Sequence, residues 1–276
     1  MIAAELGLQM TRKLSLTILA LGFLGSAAWA DGMVQPAAAP CCEAPFAGAY
    51  IGGAVGYAQQ RVEVLNETVG APALGQTFAD DEGSVTFGIY VGYNWQRCCS
   101  PFVFGIETDF NYLDTSPTGL DIEPGPVATE TASLESNINW FGTLRGRAGY
   151  VVHDHLLLYA TGGLAYARVH HTLSIENVGV AQGTFTNFGN VSASSDKTKV
   201  GWTVGGGAEL LHHSNWLLRA EALYVDLGEN PEYWQFALPG GASGNANDRW
   251  DDQFWVARIG VAYKFDSPDC CAAPLK

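Results

Sequence analysis

Ser84 to Gln96 reads SVTFGIYVGYNWQ. Val85, Phe87, Ile89, Val91, Tyr93 and Trp95 alternate with Thr86, Gly88, Tyr90, Gly92, Asn94 and Gln96. A strand sends successive side chains to opposite faces, so one face here is wholly apolar and aromatic. The other is small or polar. Seven more stretches carry this pattern, and their polar faces bear charges. A sheet greasy outside and wet inside fits lipid.

The strands are expected at 47–62, 84–96, 102–113, 137–151, 156–170, 199–211, 216–227 and 253–265. Each supplies the ~9–11 residues that a tilted membrane strand needs. The pattern predicts an all-β fold, an eight-stranded antiparallel up-and-down transmembrane β-barrel over 46–265. Connections at 97–101, 152–155 and 212–215 are short, whereas those near 63–83, 114–136, 171–198 and 228–252 are long. Bacterial barrels pair short periplasmic turns with longer extracellular loops. An even strand number returns both termini to one side, here the periplasm.

Bulk composition agrees. The 276-residue chain has 33 glycines, 15% charged and 12% aromatic residues. Its mean hydropathy of +0.06 is low for a helical membrane protein. The N-terminus reads as a signal peptide over 1–30. Arg12 and Lys13 precede an apolar run from Leu14 to Leu24, and Ala28-Trp29-Ala30 is a cleavage site. That run is short for a membrane anchor. Met1 and Met10 both remain open as the start. Residues 31–45 form an Ala/Pro-rich periplasmic lead-in, and 266–276 a cysteine-containing periplasmic tail.

The four long segments carry seventeen acidic residues against Lys197 and Arg249. Acidity therefore belongs to the solvated surface, and the barrel proper is close to neutral. The inward set holds both signs, with Glu107, Asp109, Glu209 and Glu221 against Arg145, Arg147, Arg219, Arg258 and Lys264. An eight-stranded barrel has room inside only for side chains. Isolated charges there would be costly, so paired networks are expected. Soluble lipocalin-type barrels invert this polarity, with an apolar interior around a ligand. Charges alternating against Phe, Leu and Tyr argue against that alternative. Tyr57, Trp95, Tyr112, Trp140, Tyr150, Tyr166, Trp202, Trp216, Tyr224, Trp255 and Tyr263 lie near strand ends, as two interfacial girdles require.

The last strand ends Arg258-Ile259-Gly260-Val261-Ala262-Tyr263-Lys264-Phe265. Arg258, Gly260, Tyr263 and Phe265 resemble the C-terminal assembly signal of Gram-negative outer-membrane barrels. Phe46–Gly53, Phe87–Trp95, Phe104–Asp109, Trp140–Tyr150 and Leu158–Tyr166 extend the likeness. In this order they resemble the RopB-type outer-membrane proteins of alphaproteobacteria, within the OmpA/OmpX-like barrels. The resemblance implies recognition by the barrel-insertion machinery, contact with outer-membrane lipid and lipopolysaccharide, and an abundant surface antigen. The chain departs from the family in continuing from Asp266 to Lys276 and in its paired cysteines.

Those pairs are Cys41-Cys42, Cys98-Cys99 and Cys270-Cys271. All six are disulfide candidates in an oxidising periplasm. Their connectivity stays open, and so does bridging to a second copy. Cross-pairing is favoured, because adjacent cysteines bond each other only with strain. His153, His155, His212 and His213 share the same rim as weak metal or haem candidates. Their spacing matches no zinc pattern. No cofactor is expected.

Function is expected to be non-enzymatic and structural, at the cell surface. The alternatives are a small porin or a surface protein that binds haem, metal or another ligand. Tyr233, Trp234, Phe236 and Trp250 would supply contact area for the latter. A lipid A-modifying enzyme would draw on His170, His171, Ser174 and Glu176, but no nucleophile motif surrounds them. The glycine runs Gly162-Gly163 and Gly205-Gly206-Gly207 lie inside strands, so nucleotide and nucleic-acid binding are not expected.

Overall fold

In the computed structural model the described residues are 44–66, 77–116, 118–124, 128–153, 155–181, 184–212, 215–237 and 243–265. The chain divides into units 1–40 and 41–276, and all described residues belong to the second. The signal segment and the tail lie outside the described residues, as does the lead-in up to residue 43.

Nine ladder segments build the wall: β1 Gly48–Asn66, β2 Thr77–Gln96, β3 Phe102–Thr115, β4 Thr118–Pro124, β5 Ala128–His153, β6 Leu156–Ala181, β7 Thr184–His212, β8 Trp216–Ala237 and β9 Ser243–Lys264. β3 and β4 pair with successive parts of β5, so together they form one wall strand. The wall therefore has eight strands. Each is antiparallel to its neighbours; β1 pairs with β9, and β3 with β5, which closes the ring. Closure matters because lipid offers no partner to a free backbone N–H or C=O.

Alternation sets the two faces. Ile89, Leu144, Leu164, Val200 and Ile259 are among the large apolar side chains exposed on the outer wall. Aromatic rings bracket this belt. On four strands the interval between the two rings is eight residues: Phe87 to Trp95, Phe104 to Tyr112, Trp216 to Tyr224, and Trp255 to Tyr263. Eight residues span about 27 Å of strand, and a tilt of about 40° leaves roughly 20 Å of belt height. Rings touch along both girdles, as in Phe87–Tyr112 at 5.1 Å, Tyr224–Trp255 at 4.8 Å and Trp216–Tyr263 at 5.4 Å.

The strands are longer than the alternation in sequence suggests. The stretches 63–83, 114–136, 171–198 and 228–252, expected as loops, are largely strand. β7 alone runs for 29 residues and β5 and β6 for 26 each. The cause is a reversal of polarity above the outer girdle. There the wall stands in water, so Arg61, Glu63, Asp81, Arg168 and Glu229 project outward. Val62, Val64, Leu134, Leu173, Trp234 and Trp250 turn inward and form an apolar cluster. A search for greasy-out strands passes over such segments.

The lumen is layered rather than uniformly wet. Phe46, Leu157, Leu211 and Leu217 cluster at the end of the short turns. Charged side chains come next, then a second apolar layer with Phe141, Ile138, Leu223 and Phe254. Above this lie a second polar group and the tryptophan cluster.

Depth along the wall gives a direct test. Ile89→Arg, in the middle of the belt, should destabilise the barrel by about 2–4 kcal/mol, whereas Tyr233→Arg above the outer girdle should change stability by less than about 1 kcal/mol. Urea titration of tryptophan fluorescence in phospholipid vesicles measures both.

Candidate functional site

The charged layer is the most highly organised part of the interior. Every wall strand contributes to it. β1 brings Tyr50, β2 Tyr90, β3 Glu107, Asp109 and Asn111, and β5 Arg145 and Arg147. β6 brings Tyr159, β7 Glu209, β8 Arg219 and Glu221, and β9 Arg258. All are buried. The period of two puts each on the inner face, because its neighbours in sequence are lipid-facing residues such as Ile106, Leu144, Leu218 and Ile259.

Four guanidinium groups meet four carboxylates, so the layer is neutral overall. Glu107 lies at the centre. Arg219 grips it through two bonds, Nη1 to Oε1 at 2.9 Å and Nη2 to Oε2 at 2.6 Å. Arg145 Nη2 donates to Glu107 Oε1 at 2.5 Å and to Asp109 Oδ2 at 2.9 Å. Its Nη1 reaches Glu221 Oε1 at 3.0 Å. Arg258 joins Asp109 at 2.7 Å, Asn111 at 3.0 Å and, through Nε, Glu221 at 2.8 Å. Arg147 pairs with Glu209 at 2.9 Å and lies 4.0 Å above the Tyr159 ring. Arg219 Nε donates to Glu209 at 2.8 Å, and its guanidinium lies 4.1 Å over Tyr90. Planar guanidinium forks suit such bidentate, stacked contacts better than ammonium groups do.

The tyrosines are the part of this site that reading the sequence missed. Tyr50 donates to Glu107 Oε2 at 2.7 Å, and Tyr159 to Glu221 Oε1 at 2.9 Å. Register carries the signal that could have found them. Tyr50 lies directly opposite Gly92, and Tyr90 opposite Gly52. A Cβ on Gly92 would fall 2.3 Å from the Tyr50 hydroxyl, so the inward rings need these glycines.

Lys264 is also buried, with Nζ 3.4 Å from the Ala47 carbonyl. Cys98 and Cys99 sit in the β2–β3 turn, and both are disulfide-bonded. Cys99 has φ 63°. Cys41, Cys42, Cys270 and Cys271 lie outside the described residues. His153, His155 and His212 are exposed at turns, and His213 lies outside the described residues. Among the described residues no group of three or more His, Cys, Asp or Glu is arranged to hold a metal ion. Of the residues considered for lipid A chemistry, His171 is buried on the inner face, whereas His170 and Ser174 fall on the opposite one, four positions apart along β6.

In the terminal strand, the Tyr263 and Phe265 rings face outward 5.5 Å apart. Arg258 points inward and belongs to the charged layer. Gly260 would place a Cβ 2.9 Å from the Gly53 carbonyl and 3.0 Å from the Tyr90 hydroxyl.

Known proteins resemble the chain over most of its length. A family described as "Outer membrane protein beta-barrel domain" matches residues 16–265. A "31 kDa outer-membrane immunogenic protein" of Brucella melitensis is 36% identical over 225 residues, covering 79% of this chain and 88% of that protein. A "22 kDa outer membrane protein" of Rhizobium leguminosarum is 33% identical over 151 residues, covering 54% of this chain and 56% of its own length. Among solved structures, the outer membrane protein OprG of Pseudomonas aeruginosa covers 80% of this chain and 97% of its own, at 16% identity and a TM-score of 0.44.

Removing one member of the charged layer should be costly. Arg219→Met leaves the buried layer one positive charge short and takes from Glu107 its two-bonded partner and from Glu209 one of its two arginines, and should destabilise the barrel by about 3–5 kcal/mol. Urea unfolding in vesicles, scored by the change in gel mobility between folded and heat-unfolded protein, measures the loss.

Proposed function

Because the chain belongs to the outer membrane β-barrel family, we propose that it is a non-enzymatic barrel with a structural, cell-surface role. The observation that carries this reading is the neutral charged layer across the lumen. Its side chains come from all eight wall strands and bond one another, which favours a sealed wall element over an open passage. Apolar layers on both sides add to the seal.

On this reading the short turns and both termini lie in the periplasm. The long strand extensions rise beyond the lipopolysaccharide headgroups, and their acidic exterior keeps them solvated and apart. Such a surface suits an antigen, as the names of the Brucella relatives say of those proteins. Lipid and lipopolysaccharide are the partners of the belt and girdles. The insertion machinery is the partner of the terminal strand, through Arg258, Gly260, Tyr263 and Phe265. Disulfide bridging to a second copy is a further partner relation on the periplasmic side.

Planar-bilayer recording of the purified, refolded protein tests the central claim. A sealed barrel gives no stable single-channel steps. Steady, reproducible steps would establish the porin reading instead.

A further inference from the structure

Above the outer girdle the wall parts, because the β7–β8 ladder ends at Trp202 opposite Asp226 although both strands continue upward. Within the belt the ring of strands is closed, and relief on its outer face comes from side chains alone. On β1 the outward residues are Ile51, Gly53, Val55 and Tyr57, so the row of large side chains is broken at Gly53.

Packing of the wall does not require that glycine. Its inward neighbours Gly52 and Gly56 are forced. A Cβ on Gly52 would fall 2.5 Å from the Val261 carbonyl oxygen, and one on Gly56 would fall 2.3 Å from that of Ala257. On Gly53 a Cβ would meet nothing nearer than the Gly88 carbonyl oxygen, at 3.7 Å, which is an ordinary contact. Glycine weakens a strand interior, and often marks a place where something else approaches the backbone closely.

Register builds a groove around this position. Gly53 lies opposite Ile89 on β2 and Val261 on β9, and these lie opposite Phe110 on β3 and Leu218 on β8. The rung thus crosses five strands, a length of about 19 Å at 4.8 Å per strand. An open groove of about 860 Å³ follows it. At its outer end Phe87 and Tyr112 of the girdle stack at 5.1 Å. At its other end Leu218 is two residues from Trp216 of the opposite girdle. The groove therefore runs obliquely through the belt from one interface towards the other.

Three features select its occupant. The groove is continuous with the lipid-facing belt, so its mouth opens into hydrocarbon. Its outward side chains are apolar apart from the Tyr112 hydroxyl, which lies at the interface, where an amphiphile would place its headgroup. Its walls are ridges, with Ile89 66% and Ile259 65% exposed. Proteins approach each other within a membrane through small residues that let backbones come close. A trough between ridges fits a single flexible chain instead. We infer that this groove is a binding site for one acyl chain of a lipid, which enters beside Tyr112 from the leaflet at the outer girdle and lies across Gly53. The site goes beyond the structural role proposed above and needs only the membrane placement of the belt.

Photolabelling of the refolded, full-length barrel tests this. The vesicles are phosphatidylcholine with a fraction of phosphatidylglycerol that carries a diazirine in one acyl chain. After irradiation and digestion, mass spectrometry should find adducts concentrated at 87–89, 110–112 and 259–261. Gly53→Leu fills the groove and should reduce labelling of these peptides to the level of the rest of the belt. Gly146→Leu should leave them unchanged; it also faces outward, with the nearest atom to a Cβ at 3.9 Å, but lies on β5 away from the groove. The gel-mobility difference between folded and heat-unfolded protein shows separately that each barrel has inserted. Even labelling around the belt in the unsubstituted protein overturns the inference, as does a concentration that survives Gly53→Leu. Adducts between two copies at these peptides, in place of lipid, would assign the groove to a second barrel and overturn it too. If Gly53→Leu does not fold, the map of the unsubstituted protein decides alone.

Discussion

Hydrocarbon cannot hydrogen-bond a peptide group, and the rest of this structure follows from that. Eight wall strands in one closed antiparallel ring satisfy every ladder edge within the belt. Closure at this small number leaves a lumen filled by side chains. The inner face must therefore be built as a core. The sequence builds it from ionic and apolar layers in turn, rather than from water.

The central layer shows how charge is tolerated at such depth. Taking an ion out of water costs several kcal/mol, so each guanidinium must recover that from more than one partner. Arg145 has three carboxylate partners, and Glu107 has three arginine partners. Tyr50 and Tyr159 add hydrogen bonds to Glu107 and Glu221. The arrangement ties together residues far apart in the chain, such as Asp109 and Arg258, 149 positions apart. It therefore specifies strand order and register as well as contributing stability. A slip of one residue would turn the whole set towards lipid.

What was legible in the residues follows from environment. Where lipid meets the wall, a period of two separates Phe104, Ile106 and Phe110 from Glu107 and Asp109, and the strands read plainly. Above the girdle water replaces lipid, and Glu63 stands outside while Val62 and Val64 stand inside. The same period persists there with opposite polarity, so the extensions read as loops. The inward direction of Arg145 or Arg219 follows from alternation alone. Their partners do not, because register and strand neighbours decide them. His171 and Asp252, 81 positions apart, meet for reasons no local pattern contains. The tyrosine–glycine pairs fall between these cases: both residues are visible, but their opposition appears only once β1 and β2 are aligned.

The parting of β7 from β8 also bears on how deeply the molecule sits. The β7–β8 ladder ends at Trp202 opposite Asp226, so immediately above it the two strands present amide edges that need water and that acyl chains could not satisfy. Sinking by even one turn of the pleat would carry those edges into oil. Rising would lift the lower tryptophans out of their interface. The seam thus acts as a plimsoll line, fixing immersion from above while the aromatic ring fixes it from below.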